Sequence, residues 1–347
     1  MKKFVHMGMP KTLSSALQEG FFYQHESIHF LGVGVGSLID YVNDSLNVTF
    51  ETLIPYASEA HYQRNKKDAI QSVQKEINFA VKNGKSWVGV SSEWLGFNFT
   101  PEMADAELKI KRLSEVMGTD AHVILVSRNN TAFLRSLYGE LVKVGLSLSF
   151  QQYCSYLWAF QDRSSLNDFL YDIHYERLLR YFKKENIHFV ILENFRDAEG
   201  NLKKKKGKVA LIEYLCNTLD LIYPSNFELP KVNPSLDEHE LYQKLELNKK
   251  YRHDFGNLIF EPSNVHRSRK YLETVGAASD MDFFADVKVK RFLLAQAKEL
   301  AQNSKSKVSY ELSDLLERNL ESLFYESNKN FEKMTGIEMP EAYFSGF

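Results

Sequence analysis

The N-terminal half of the chain alternates short apolar runs with stretches of helical spacing. The runs over 4–7, 28–33, 87–90, 122–126 and 187–192 are mostly unbroken by polar residues, as strands buried on both faces should be. Between them Ile70, Val73, Ile77 and Val81, and then Leu108, Leu113 and Val116, recur at helical spacing. Strands alternating with helices predict an α/β fold with a central parallel sheet, flanked by helices through right-handed crossovers. After Leu192 the pattern changes. Residues 237–249, 286–301 and 310–329 read as helices, and Pro224, Pro230 and Pro234 mark an irregular connection to them. The expected organisation is an α/β core over 1–225 that carries the ligand site, with a helical C-terminal portion over 226–347 packed on it.

The first strand runs into HMGMPKTLSSALQEGFF, where Pro10 and Lys11 are followed by Thr12, Leu13, Ser14 and Ser15 and then a helical pattern. A helix N-terminus presents unpaired backbone N–H groups and the positive end of its dipole. A lysine and three hydroxyls at that turn point to a bound phosphate, and an ordinary Ser-capped helix is the simpler alternative. The nucleoside-triphosphatase loop is excluded, because it needs a Gly, four residues and then Gly-Lys-Ser/Thr. In parallel α/β sheets ligands bind at the carboxyl ends of the strands, where this turn falls.

Charge and composition narrow the partners. The 347 residues carry 43 Lys+Arg against 45 Asp+Glu, without the basic excess that a general nucleic-acid or membrane-surface binder needs. The run from Lys203 to Lys206 lies between Gly200 and Gly207 and reads as a solvated turn. Cys154 and Cys216 are far apart, without CxxC spacing, and read as reduced buried thiols rather than a disulfide or a zinc site. A first strand beginning near residue 3 leaves no room for a signal peptide, and no apolar run approaches the ~18 residues of a membrane span. The expectation is a cytoplasmic protein without a membrane span. No His, Cys or Asp cluster has metal-ligand spacing, so no metal is expected.

A second anion site is legible at HVILVSRNNTAFLRSLYGELVKVG. Here Arg128 closely follows the fourth strand, and 131–144 has helical spacing with Phe133, Leu137 and Leu141 on one face. The Arg128 fork and the Ser136 hydroxyl could bracket a phosphate. Two anion sites on one sheet edge fit a nucleotide with phosphates at both ends of its ribose. PKTLSSALQ resembles the PKTGTTSLQ signature of sulfotransferases that use 3′-phosphoadenosine 5′-phosphosulfate, and SRNNTAFLRS resembles their second signature. Similarity to the bacterial, carbohydrate-type branch extends through VGVSSEWL (88–95), LLRYFKKENIHFVILENFRD (178–197) and VNPSLDEHELYQKLELN (232–248), in order over roughly residues 3–250. The resemblance implies the P-loop-like sulfotransferase fold. It also implies that the loop from Lys11 to Ser15 contacts the 5′-phosphate, chiefly through Lys11, Ser14 and Ser15, while Arg128 and Ser136 contact the 3′-phosphate. Leu13 stands where the family has Gly; either the loop keeps ordinary dihedrals, or cofactor binding is weakened.

Sulfuryl transfer needs an in-line acceptor hydroxyl, stabilisation of the leaving phosphate oxygen and a base for the hydroxyl proton. Lys11 suits the leaving oxygen. Glu93, just after the third strand, is the first choice of base, with its alternative a structural carboxylate. His25 and Glu26 precede the second strand and resemble the place where some carbohydrate sulfotransferases hold a catalytic Glu; His61 and His29 are further candidates, and His6 reads as core. GVGVGS (32–37) has GxGxG rather than dinucleotide spacing and reads as a turn lining the acceptor cleft. Phe150, Tyr153, Tyr156, Leu157 and Phe160 fall at helical spacing, as core or as a sugar-stacking face. The resulting expectation is an enzyme moving a sulfuryl group from 3′-phosphoadenosine 5′-phosphosulfate to a glycan or small-metabolite hydroxyl, releasing 3′,5′-adenosine bisphosphate. A non-catalytic nucleotide- or glycan-binding relative and a P-loop-type kinase are the alternatives.

Overall fold

The computed structural model describes residues 1–9, 11–32, 39–98, 103–161, 165–225, 227–230, 235–251 and 287–346. Pro10, Pro234 and the GVGVGS run beyond Gly32 lie outside them. By packing, the chain divides into two units: Met1–Asn129, Asn167–Asn233 and Phe324–Ser345 form the first, and Asn130–Leu166, Pro234–Leu323 and Gly346–Phe347 the second.

The first unit holds a five-stranded parallel sheet of β1 (Lys2–Gly8), β2 (Ile28–Phe30), β3 (Trp87–Ser91), β4 (His122–Ser127) and β5 (Ile187–Ile191), in the order β2-β3-β1-β4-β5. β1 is therefore the middle strand, and Phe4, Val5, His6 and Met7 are buried. The unbroken apolar runs of the sequence are these strands, covered on both faces. β2 is shorter than the run 28–33. Leu31 still donates its N–H to Gly89 O at 2.8 Å, but Gly32, at φ 108°, turns the chain away.

Short helical turns follow the first two strands. α1 (Ser14–Leu17) passes into a π-turn over Gln18–Phe22, and α2 (Asp44–Val48) continues through Thr49–Leu53 into α3 (Ile54–Tyr56). The longer crossovers of this unit are α4 (Glu59–Lys82) and α5 (Ala106–Met117). α4 buries Tyr62, Ala69, Val73 and Ala80, whereas Val81 points to solvent, so the expected stripe is rotated by one position at its end. On the buried face the Tyr62 hydroxyl donates to Glu115 Oε2 at 2.8 Å and its ring lies under the Arg112 guanidinium at 4.7 Å. The lysine run forms a hairpin of two short strands, β6 (Lys204–Lys205) and β7 (Lys208–Val209). Lys206 and Gly207 turn it at φ 49° and 80°, positive at both central positions as a type I′ turn requires.

In the second unit lie α6 (Asn130–Val144), α7 (Phe150–Ala159), α10 (Glu238–Tyr251) and α11 (Val287–Ala301), while α8 (Tyr171–Tyr181) and α9 (Ala210–Thr218) belong to the first unit. α7 buries Phe150, Tyr153 and Leu157 but leaves Phe160 half exposed, so the core reading holds for the first three. The buried Lys244 and Asn248 side chains bond the Val142 carbonyl, and Asn248 also takes Leu146 O at 2.8 Å, closing the C-terminus of α6. α12 starts at Asp314 rather than at 310 and runs to Thr335. Tyr310 is held out of the helix by ring contacts to Tyr138 and Phe150, with the Arg135 guanidinium 5.3 Å from its centroid. Gly336, at φ 72°, ends α12.

At the amino-terminal edge of the sheet His122 Nδ1 and His188 Nε2 lie 2.9 Å apart with their rings stacked. Burial, reinforced by its partner, pulls His188 down to about 4; burial, reinforced by the Lys2 charge, lowers His122 as well. Burial also takes His6 and His174 down to about 3. Because these folded-state values are depressed, the unfolded chain binds more protons below pH ~6.5, the ordinary histidine value. Their stabilisation is complete above that pH and is lost as pH falls toward 4. Thermal melts should therefore be level between pH 7 and 8 and drop by several degrees from pH 6.5 to 4.5, with a shallower drop in His188→Gln. An unchanged slope in that variant would show that the histidine pair carries none of the acid sensitivity.

Candidate functional site

The site is built at the carboxyl edge of the sheet, from the turns that leave β1, β3, β4 and β5. After β1 the backbone makes two left-handed steps, Lys11 at φ 65° and Leu13 at φ 67°, ψ 16°. The loop does not keep ordinary dihedrals. Leu13 occupies the conformation that Gly takes without strain, at a cost of roughly 1–2 kcal/mol. Two hydroxyls hold it there: Thr12 Oγ1 donates to Met9 O at 2.7 Å and Ser14 Oγ to the same oxygen at 3.2 Å. Leu13 in turn rests its side chain on the hydrophobic cluster beneath the sheet edge. Gly8 makes room for this arrangement, because a Cβ there would run into the Ser14 side chain.

The consequence is a concave backbone. Leu17 N is the first amide of the turn to find a helical acceptor, Leu13 O at 2.9 Å. Among the described residues the N–H groups of Leu13, Ser14, Ser15 and Ala16 have none. Successive free N–H groups around left-handed residues form an anion-binding nest, and the half-buried Lys11 belongs to the same loop. Of the three hydroxyls, that of Thr12 is fully buried and serves the loop itself, while that of Ser15 has no hydrogen-bond partner among the described residues.

Glu93 begins the turn Glu93–Leu95 directly after β3. A Cβ on Gly8 would sit 3.0 Å from Ser14 Cβ and 3.3 Å from Glu93 Cγ, so the Glu93 side chain and the loop after β1 meet across Gly8. The Glu93 turn is fixed from behind by side chains that the sequence did not single out. Ser92 Oγ donates to Glu51 Oε1 at 3.0 Å, and Tyr41 OH donates to the same oxygen at 2.8 Å. The fully buried Lys109 ammonium donates to Trp94 O at 2.9 Å and Phe97 O at 2.7 Å, and burial brings it down to about 7. Asp168, itself buried against Arg177, takes Asn98 N at 2.8 Å. Ser91 joins the two halves, accepting from Gln18 Nε2 at 2.8 Å with His6 Nδ1 at 2.7 Å. His6 is core, as expected, and neutral.

On the other side of β1, Arg128 leaves β4 half-buried. Its neighbour Asn129 donates N–H to Glu193 Oε1 at 2.9 Å, and Tyr343 OH donates to Glu193 Oε2 at 2.7 Å. The Tyr171 hydroxyl donates to Arg128 O. Burial lowers the Arg128 pKa, the nearby Arg196 charge lowers it further, and Glu193 opposes both. Ser136 lies on α6 in the second unit and Arg128 in the first.

The other candidate bases stand elsewhere. His25 is buried before β2, with Nε2 3.0 Å from Ile222 O and Nδ1 accepting from Ser27 N at 3.2 Å, so both ring nitrogens serve the fold. Glu26 is exposed at the start of β2, at the edge opposite the site, where its carbonyl receives Lys85 Nζ. His29 pairs with Glu76 at 2.8 Å. His61 sits in the first turn of α4. Among the described residues no three His, Cys, Asp or Glu side chains are grouped to hold a metal ion.

Leu13 gives a direct test of the loop. At ordinary dihedrals an Ala-to-Gly change lowers stability by roughly 0.5–1 kcal/mol, but at φ 67° the order reverses, because only Gly is unstrained. Leu13→Gly and Leu13→Ala lose the same packing, and denaturant unfolding should show the Gly variant the more stable by about 1 kcal/mol. Greater stability in the Ala variant would contradict the left-handed conformation.

No protein-family model matches the chain, and no curated protein matches it. Among solved structures it is similar to a sulfotransferase from Alicyclobacillus acidocaldarius, at 15% identity and a TM-score of 0.41, over 84% of this chain and 99% of that one.

Proposed function

We propose that the chain transfers a sulfuryl group from 3′-phosphoadenosine 5′-phosphosulfate to a hydroxyl of a carbohydrate or small metabolite. The observation that carries this reading is the backbone nest after β1 flanked on the neighbouring strands by a carboxylate, Glu93, and a guanidinium, Arg128. Adjacent strands lie ~5 Å apart, so one nucleotide with two phosphates on its ribose could reach the ends of both β1 and β4. The nest and Lys11 would receive the 5′-phosphate, with Ser14 and Ser15 beside it, and Arg128 the 3′-phosphate. Thr12 and Leu13 shape the nest rather than contact the ligand.

In this reading the acceptor oxygen attacks sulfur opposite the bridging oxygen. The new O–S bond forms as the bridging S–O bond breaks, the acceptor proton passes to Glu93, and the charge left on the phosphate oxygen falls against Lys11 and the loop N–H groups. Lys109 and the Ser92–Glu51 contact hold the Glu93 turn in place. A cytoplasmic, reducing setting fits the two buried, free cysteines.

The experiment is transfer of labelled sulfate to a panel of hydroxyl acceptors without added Mg²⁺, in wild type and Glu93→Gln. The variant keeps the size of the side chain but cannot take a proton. Turnover should fall by about 10²–10⁴-fold while affinity for 3′,5′-adenosine bisphosphate stays within about twofold. Glu26→Gln and His61→Ala should turn over normally. Normal turnover in Glu93→Gln, with loss of rate in one of the other two, would move the base to that residue. Nucleotide binding without transfer to any acceptor would favour a non-catalytic relative, and transfer that requires Mg²⁺ and ATP would favour a kinase.

A further inference from the structure

We infer that Arg196 is a second guanidinium of the anion site that begins at Arg128, and that the pair grips one phosphate monoester dianion at the β4/β5 exit. Arg196 follows the turn Leu192–Phe195 after β5, as Arg128 follows β4, and β4 and β5 are paired neighbours. The two exits are tied together by Asn129 N–H to Glu193 Oε1. Neither guanidinium has an ion pair or hydrogen bond among the described residues, and Arg196 Nε is buried without a partner. Buried donors are ordinarily satisfied, and an unpaired pair of like charges in a half-buried edge is costly. Glu193, the carboxylate that ties the exits together, already accepts from Asn129 and Tyr343. A phosphate dianion supplies what this arrangement lacks: two negative charges and several acceptor oxygens for forked N–H donors.

The backbone of Arg196 is also fixed. Its N–H bonds Glu193 O at 3.1 Å and it bridges Leu202, while Lys203 donates N–H to Phe195 O at 2.8 Å and Nζ to Asn194 O at 3.1 Å. The basic hairpin is thus the brace of Arg196. Lys204, Lys205 and Lys206 are exposed on it, and Lys208 stands 5.0 Å over the Tyr223 ring. They add positive potential to the same edge.

The inference rests on the proposed donor for the ligand's identity, but not for its charge. The test is calorimetric titration of wild type, Arg196→Ala, Arg196→Gln and Arg196→Lys with 3′,5′-adenosine bisphosphate and adenosine 5′-monophosphate, together with thermal upshift by inorganic phosphate. Loss of a charge-assisted contact should weaken the bisphosphate roughly ten- to a hundred-fold in Arg196→Ala and Arg196→Gln. The monophosphate should change by no more than about threefold, and Arg196→Lys should recover part of the loss. Wild-type affinity for the bisphosphate in these variants, or equal loss for both nucleotides, overturns the assignment. Should the Ala variant melt below the working temperature, the Gln and Lys variants carry the comparison. If wild type binds neither nucleotide, the sulfuryl-donor reading fails; an upshift by phosphate that disappears in Arg196→Gln would still support the paired site, and an upshift that persists there, or none in wild type, would end it.

Discussion

Everything at the candidate site depends on the turn after β1 being held left-handed without glycine. Lys11 and Leu13 adopt a backbone that L-residues resist, and the strain is offset by local bonds from Thr12 and Ser14 to a single carbonyl, Met9 O, and by packing of Leu13 on the core. Because β1 is the middle strand, its neighbours on both sides end beside this turn. The nest, the Glu93 turn and the two guanidinium exits are therefore placed by sheet order rather than by long side-chain reach. Gly8 is the permissive position, since any side chain there would push Ser14 and Glu93 apart.

The second layer explains why the Glu93 turn can be specific. Lys109 and Asp168 are buried and Arg177 is partly buried beside Asp168, and they are tolerated because each is bonded to backbone or to an opposite charge. The carbonyls of Trp94 and Phe97 and the N–H of Asn98 are pinned by them. For the proposed transfer this rigidity matters, since a misplacement of about 1 Å in a reacting group can lower rate by ~10²-fold.

Much of the fold was legible because a buried parallel strand has a plain signature: all five strands are apolar runs, and the Lys11 turn and Arg128 fall just where such runs end. The left-handed turn was legible only as a question, since Leu13 gives no local sign of positive φ. Arg196 carried the same signal as Arg128, an arginine just past an apolar strand, but ENFRD reads as ordinary loop until the strand order brings β5 beside β4. Tyr343 and Lys109 were not readable at all, because each acts through contacts with residues distant along the chain. His25 and Glu26 precede their strand, and the start of a parallel strand lies at the edge opposite the Lys11 turn, which sequence spacing alone does not show. The rotation of the α4 stripe escaped because the small Ala69 and Ala80 are buried where the larger Val81 is exposed, and alanine marks a helix face weakly.

The central claim is that one sheet edge holds two separate phosphates of one nucleotide. It is tested most directly by calorimetric titration of the intact protein with 3′,5′-adenosine bisphosphate, adenosine 5′-monophosphate and adenosine 3′-monophosphate. The bisphosphate should bind more tightly than either monophosphate by roughly tenfold or more, because each phosphate adds its own charge-assisted contacts. Equal affinity for the bisphosphate and one monophosphate, or no binding of any of the three, would contradict it.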